Sequence, residues 1–88
     1  IYVDHYGNLI TGVPAQGITT DMIIVLGERE ISYARTFSGV PPGALFWYEN
    51  SMGLIEIAAN SASASELTGS GIGSEIYFSD NVKNMTNQ

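Results

Sequence analysis

Two short segments combine polar and aromatic side chains with a glycine, and their chemistry suits ligand binding. They are residues 4–8, with the sequence DHYGN, and residues 50–53, with the sequence NSMG. Asp4 can accept a hydrogen bond from an ammonium group, and Asn8 offers a donor and an acceptor to a heterocycle. Tyr6 or Tyr33 can present a ring face. Glycine at strand ends lets a ligand approach the backbone closely. By composition alone the same segments could be ordinary turns with a hydrogen-bonded Asn and half-buried tyrosines.

The chain carries no self-sufficient set of catalytic residues. Its single histidine, His5, adjoins Asp4, but neighbours on a strand point to opposite faces, so an Asp–His relay is sterically poor. Cysteine is absent, and the acidic residues are scattered singly, so we expect no metal site. Residues 69–73 (GSGIG) follow a helical pattern instead of opening one, which argues against a dinucleotide site. We therefore expect a binding role, with no catalytic residue, metal or cofactor within the chain.

The charge balance limits the choice of partners. Three Lys or Arg residues stand against nine Asp or Glu, giving a net charge of −6. Such a chain repels phosphate backbones, so neither nucleic acid nor an anionic membrane is an expected partner. No apolar run approaches the roughly 20 residues that a membrane span needs. We expect a cytoplasmic protein, and its 88 residues allow one domain.

The spacing of apolar residues predicts an all-β domain. The hairpin signal is clearest where Gly27, able to adopt a positive φ, begins a four-residue turn over 27–30. One helix is predicted over residues 61–67, because Ser63 and Glu66 have capping-box spacing and Gly69 follows the end. The predicted strands are residues 1–6, 9–13, 22–26, 31–37, 44–48, 54–59 and 75–79.

Six to seven short strands and one short helix predict a small antiparallel β-barrel over residues 1–79, since closure removes unpaired edges. Residues 80–88 form a polar tail that we expect to fray. Residues 1–3 (IYV) resemble the inside of a strand, so we expect a part of a longer protein. The apolar run 46–48 (FWY) leaves two interpretations open: barrel core, or a face covered by a partner domain or subunit.

Longer motifs around both polar segments resemble a known family. Residues 4–11 (DHYGNLIT), the aromatic Tyr33, residues 50–60 (NSMGLIEIAAN) and residues 61–64 (SASA) closely resemble the C-terminal domain of the S-adenosyl-L-methionine (SAM) hydroxide adenosyltransferases, relatives of the fluorinase and chlorinase. The resemblance extends over residues 1–78, nearly the whole chain. Both motifs are long and ordered, so the resemblance is specific.

The resemblance implies a homotrimer whose active site lies at a subunit interface. A larger N-terminal domain, missing here, forms one wall, and the small β-barrel of the neighbouring subunit forms the other. SAM is the substrate: water or hydroxide attacks the ribose 5′ carbon and releases adenosine and L-methionine. The family's water-activating residues belong to the N-terminal domain. The fragment alone is therefore expected to be inactive.

Seven residues acquire substrate-binding roles through the resemblance. Asp4 and Ser51 would hold the methionine ammonium and carboxylate, with Met52 helping through its backbone. Tyr6 would line the methionine side. At the other end of the substrate, Asn8 would hydrogen-bond the edge of adenine and Tyr33 would stack on its ring. The carbonyl of Ser61 would accept from the exocyclic amine.

The sequence departs from the family pattern at four positions. Tyr6 replaces the commoner Phe, and Gly12 stands where Asn is usual. Met52 and Ala59 occupy positions that are Arg in the fluorinating members, which favours the hydroxide reaction over halogenation. The alternative function is a non-catalytic β-barrel module that binds a small adenine-type ligand or mediates oligomerisation.

Overall fold

The computed structural model describes residues 2–60, 62–69 and 76–80, and these form an all-β fold with one short helix, as predicted. The helix is α1 (Ala64–Thr68), and a single 3₁₀ turn covers Phe37–Gly39. No helix in this part of the chain is long and apolar enough to cross a membrane. The strands are β1 (Tyr2–Val3), β2 (Leu9–Pro14), β3 (Met22–Leu26), β4 (Arg29–Ile31), β5 (Leu45–Glu49), β6 (Leu54–Ala59) and β7 (Tyr77–Asp80).

The strands form two antiparallel sheets, with the orders β1-β2-β6-β5 and β4-β3-β7. Beyond β4, a single parallel bridge between Tyr33 and Trp47 links one sheet to the other. The Trp47 amide donates to the Ser32 carbonyl and the Trp47 carbonyl accepts from the Ala34 amide, both at 3.1 Å. The chain then leaves the ladder for the 3₁₀ turn and the 41–42 proline pair, which cannot donate. Within the described residues, the predicted closure into a barrel is therefore not observed.

The core lies between the two sheets. Trp47 connects them, because its indole Nε1 donates to the carbonyl of Met22 on β3 at 3.1 Å. Along β6, alternate residues face the core, and Glu56 and Ala58 lie on the opposite face. The large aliphatic side chains with at most 1% exposure are Leu9, Ile24, Ile31, Ile55 and Ile57.

The predicted hairpin is present with a tighter turn. Leu26 pairs with Arg29, so only two residues form the turn, and Gly27 adopts a φ of 62°. The prediction of a four-residue turn was wrong because residues 29 and 30 already belong to the ladder. The second arm consequently ends at Ile31 and not at residue 37.

The predicted helix signals act as expected. The Ser63 side chain accepts a hydrogen bond from the Glu66 amide, and Gly69 ends α1 in the left-handed conformation with a φ of 68°. The helix begins at Ala64, three residues later than predicted. Strand β7 pairs with β3, while predicted strand residue 75 and tail residues 81–88 lie outside the described part of the chain. The division into a domain over 1–79 and a tail stays a prediction.

Candidate functional site

The loop of residues 4–8 is built around the carboxylate of Asp4. Its Oδ1 accepts from the backbone amides of Tyr6 and Asn8, each at 2.9 Å. The Asp4 amide donates to the Asn8 carbonyl at 2.9 Å, and the Gly7 amide donates to the Asp4 carbonyl at 3.0 Å. These local bonds compete with the sheet ladder. They explain why β1 ends at Val3, although strand periodicity continues to residue 6.

The same loop packs tightly against the start of α1. The Ser65 amide donates to the Gly7 carbonyl at 2.9 Å. Gly7 has a φ of 85°, and a Cβ atom at this position would lie 2.1 Å from Oγ of Ser63. Only glycine fits here, because both the backbone conformation and the space exclude a side chain. The position of Asn8 therefore depends on the helix.

The turn of residues 50–53 connects β5 to β6 and is held by Asn50. Its Oδ1 accepts from the amides of Met52 at 2.9 Å and Leu54 at 3.0 Å. The Asn50 amide donates to the Leu54 carbonyl at 2.9 Å. Ser51 and Met52 are exposed at the tip of this turn, and Met52 retains 66% of its accessible surface.

Glu56, on the central strand β6, joins the two polar segments. The residue is only 6% exposed. Oε2 accepts from Nδ2 of Asn8 at 3.1 Å and from the hydroxyl of Tyr48 at 2.5 Å, and Oε1 accepts from Nδ2 of Asn50 at 3.1 Å. Three donors thus compensate the buried carboxylate. Sequence reasoning assigned Glu56 no role, although a charged residue in the apolar run 54–59 was an available signal.

A cavity of about 690 Å³ opens beside Asn8 on the same face of the four-stranded sheet. Its volume lies within the range of small-molecule sites. The walls combine rings, an amide and a guanidinium, a set suited to a planar heterocycle with polar edges. They include Tyr6, Asn8, Arg35, Phe46, Tyr48 and Ala58.

The aromatic run 46–48 is divided between this cavity and the core. Trp47 faces the core, whereas Phe46 and Tyr48 lie on the cavity side with ring centroids 5.8 Å apart. Phe46 is only 3% exposed within this single chain. Coverage by a partner is therefore not needed to bury Phe46. The two cavity-facing rings are site residues that sequence reasoning did not identify.

The Tyr48 hydroxyl stays protonated, because its pKa is raised well above the ordinary value. Burial is the largest cause, followed by the hydrogen bond to Glu56 and the negative charges of Glu56 and Asp4. A tyrosine with a pKa higher in the folded than in the unfolded state stabilises the fold fully below about pH 10. That contribution declines as the pH rises further, because the unfolded chain ionises first.

We expect Tyr48→Phe to lower the free energy of unfolding of the full-length protein by about 1 kcal/mol at pH 7, through loss of the bond to Glu56. The difference between wild type and variant should shrink as the pH rises above 10. Urea denaturation at several pH values measures both effects. If the difference in free energy of unfolding between wild type and variant stays constant from pH 7 to 11, the raised pKa of the Tyr48 hydroxyl would be contradicted.

Six of the seven sequence-predicted site residues lie within the described part of the chain, and their surroundings differ. Tyr6 and Asn8 line the cavity, and Asp4 organises their loop. Tyr33 is half-buried and packs edge-on against Trp47 with centroids 5.0 Å apart, away from the cavity lining. The roles assigned by resemblance, including that of Tyr33, stay predictions.

The remaining predicted residues belong to the second segment or lie outside the described residues. Met52 borders a shallower groove of about 420 Å³, which also includes Tyr2 and Ile10. Ser51 is exposed beside it. Ser61 lies outside the described part of the chain. Among residues 2–60, 62–69 and 76–80, no three potential metal-ligating side chains come together.

Comparison with known sequences defines the class of this domain. Residues 1–77 match the family described as the SAM hydroxide adenosyltransferase C-terminal domain. The chain belongs to this family, which the motifs of residues 4–11 and 50–60 had indicated.

Individual relatives extend the comparison. The chain is 39% identical over 69 residues to the (R)-S-adenosyl-L-methionine hydrolase of Thermus thermophilus and 34% identical over 68 residues to that of Salinispora arenicola. These matches cover 75% and 74% of this chain but 25% of each relative. The chain thus spans about a quarter of the length of these relatives.

Two crystal structures share the fold. A conserved hypothetical protein from Thermus thermophilus is similar with a TM-score of 0.77 and 34% identity, over 86% of this chain and 32% of that protein. An uncharacterized conserved protein from Thermotoga maritima gives a TM-score of 0.74 and 29% identity, over 88% and 33% of the two chains.

Proposed function

We propose that the full-length protein hydrolyses SAM to adenosine and L-methionine, and that this chain supplies substrate-binding residues at a subunit interface. Water or hydroxide attacks the ribose 5′ carbon, the C5′–S bond breaks, and its electron pair stays on sulfur as the neutral thioether of methionine. The water oxygen becomes the 5′-hydroxyl of adenosine, and a proton is released.

The observation that carries the proposal is the aromatic cavity beside Asn8 in a domain of this family. Its volume of about 690 Å³ accommodates a nucleoside. Stacking on an aromatic ring contributes about 1–3 kcal/mol per base, and the rings of Tyr6 and Tyr48 line the cavity. The Asn8 amide lies at the same wall, where it can bond the edge of adenine.

The methionine end of SAM is proposed to lie towards Asp4, Ser51 and Met52. Glu56 connects Asn8 and Asn50, so the loop that contains Asp4 and the turn that contains Ser51 adjoin one sheet face. A charge-assisted bond from Asp4 to the substrate ammonium would contribute about 1.5–3 kcal/mol. The acidic chain also suits a cationic sulfonium substrate.

The reacting groups are proposed to come from the domain that this chain lacks, in a homotrimer that places it against a neighbouring subunit. The chain covers a quarter of the SAM hydrolases it resembles, which supports the need for that domain. No cofactor is proposed, and cytoplasmic location stays a prediction.

The decisive test is turnover by the full-length protein. We expect it to release adenosine and methionine from SAM in equal amounts, measured by chromatography, while residues 1–88 alone release neither. Both sulfonium epimers should be assayed, because the relatives are named for the (R) form. If the full-length protein is folded and trimeric but yields neither product from either epimer, the proposed hydrolase function is wrong. The alternative, a non-catalytic module for ligand binding or oligomerisation, would then remain.

A further inference from the structure

We infer that Glu56 is a positioning residue that fixes the orientation of the Asn8 amide and thereby makes the cavity selective for a 6-aminopurine over a 6-oxopurine. The inference rests on the proposed function, since it takes an adenine nucleoside as the occupant. It adds a determinant of base selectivity that lies beneath the cavity, on the central strand β6.

The orientation of Asn8 follows from the chemistry of its partner. An ionised carboxylate only accepts hydrogen bonds, whereas an amide has one accepting oxygen and one donating nitrogen. The Asn8 amide must therefore turn Nδ2 towards Glu56, as observed at 3.1 Å. The reverse orientation would place two oxygens against each other in a site where Glu56 is 6% exposed.

The atoms of Asn8 that remain define what the cavity can recognise. Its backbone amide and carbonyl are both bonded to Asp4. Within the described part of the chain, Oδ1 and the second hydrogen of Nδ2 have no partner. An acceptor next to a donor matches the N6 amine and N7 of adenine, the pairing that Asn makes with this base elsewhere. Hypoxanthine and guanine present two acceptors, O6 and N7, and leave Oδ1 of Asn8 facing an oxygen.

Because of Asn50, replacing Glu56 with glutamine changes the hydrogen bonds of this network. Oδ1 of Asn50 is occupied by two backbone amides, so this residue can only donate to position 56. A glutamine that keeps its oxygen on Asn50 directs Nε2 to Asn8 and to the Tyr48 hydroxyl, which can accept as well as donate. Asn8 then satisfies the new donor by turning its own oxygen inward, which leaves Nδ2 facing the cavity. The order of donor and acceptor offered to the base is lost.

The test compares nucleoside affinities of the full-length protein by titration calorimetry. In the wild type, adenosine should bind at least about tenfold more tightly than inosine, and 7-deazaadenosine, which lacks the N7 acceptor, should bind more weakly than adenosine. In Glu56→Gln, the adenosine-to-inosine ratio should fall towards one. The matched control is Glu28→Gln, the same change at an exposed turn position, and its ratio should equal that of the wild type.

A ratio that is unchanged in folded Glu56→Gln would overturn the inference, because a merely structural role lowers both affinities together. If that variant does not fold, the wild type decides: inosine binding as tightly as adenosine overturns the inference, and the expected discrimination with a weaker 7-deazaadenosine supports it. These measurements need no turnover. A protein that discriminates between the nucleosides but does not cleave SAM would refute the proposed function and leave the inference intact.

Discussion

Replacing Gly7 with alanine is expected to destabilise the full-length protein by about 2–5 kcal/mol, because the left-handed backbone costs about 1–2 and overpacking about 1–3. The φ of Gly7 is 85°, and an added Cβ would lie 2.1 Å from Oγ and 2.8 Å from Cβ of Ser63. Relief requires the loop to move away from α1, which displaces Asn8. Chemical denaturation measures the first effect, and the rate of adenosine release, expected to fall, measures the second.

Gly17 provides the matched control. Its φ is 87°, but an added Cβ would meet nothing within 4 Å. Gly17→Ala therefore isolates the backbone term of about 1–2 kcal/mol. Adding Ser63→Gly to Gly7→Ala removes both colliding atoms and should reduce the cost of the alanine to that of Gly17→Ala. Equal destabilisation by the two single alanine substitutions would contradict the close packing of the loop on the helix.

Asn8→Ala is expected to lower kcat/KM for SAM by about ten- to a hundredfold, the discrimination that a two-bond contact to a base provides. The effect should appear mainly in KM, because the proposed contact of Asn8 is to the adenine and not to the reacting carbon. The free energy of unfolding should fall by only about 1–2 kcal/mol, through loss of the bond to Glu56. Steady-state kinetics and urea denaturation of the full-length protein measure both quantities.

Thr11→Val separates the loss of stability from the loss of binding. Thr11 lies on β2, three residues after Asn8, and is 2% exposed. Its hydroxyl donates to the Ile55 carbonyl at 2.8 Å. The variant should lose comparable stability with kcat/KM retained. If Asn8→Ala and Thr11→Val reduce kcat/KM to the same extent, Asn8 would be assigned a structural role only.

Local signals in the sequence located the elements whose energetics are local, although not their exact bounds. Ser63 and Gly69 indicated α1, and Gly27 indicated the hairpin, because caps and turns depend on residues within a few positions. The length of strand β1 was overestimated for a related reason, because the Asp4 side chain accepts hydrogen bonds from the backbone amides of Tyr6 and Asn8. Periodicity alone does not reveal this competition.

Features that depend on long-range pairing could not be predicted in the same way. Within the residues that the structure describes, the two sheets are linked by a single bridge at Tyr33 and do not close into a barrel. Whether strands close depends on registers that no local pattern encodes. Glu56 bonds Asn8 from 48 positions away, so the network became visible only once β2, β5 and β6 were adjacent. Tyr33 was predicted to stack on adenine from resemblance alone, and its contact with Trp47 is likewise a product of the sheet arrangement.

The shared carboxylate has a consequence for attempts to redesign base preference by directed evolution. Three donors from two stretches of chain, residue 8 and residues 48–50, converge on one carboxylate, so substitutions among them will show epistasis. Saturation mutagenesis of the eighth codon alone keeps the Glu56 carboxylate in place and favours side chains that donate to it. A combinatorial library covering Glu56 and its three partners also samples the opposite arrangement, in which residue 8 turns an acceptor towards position 56 and presents donors to the base.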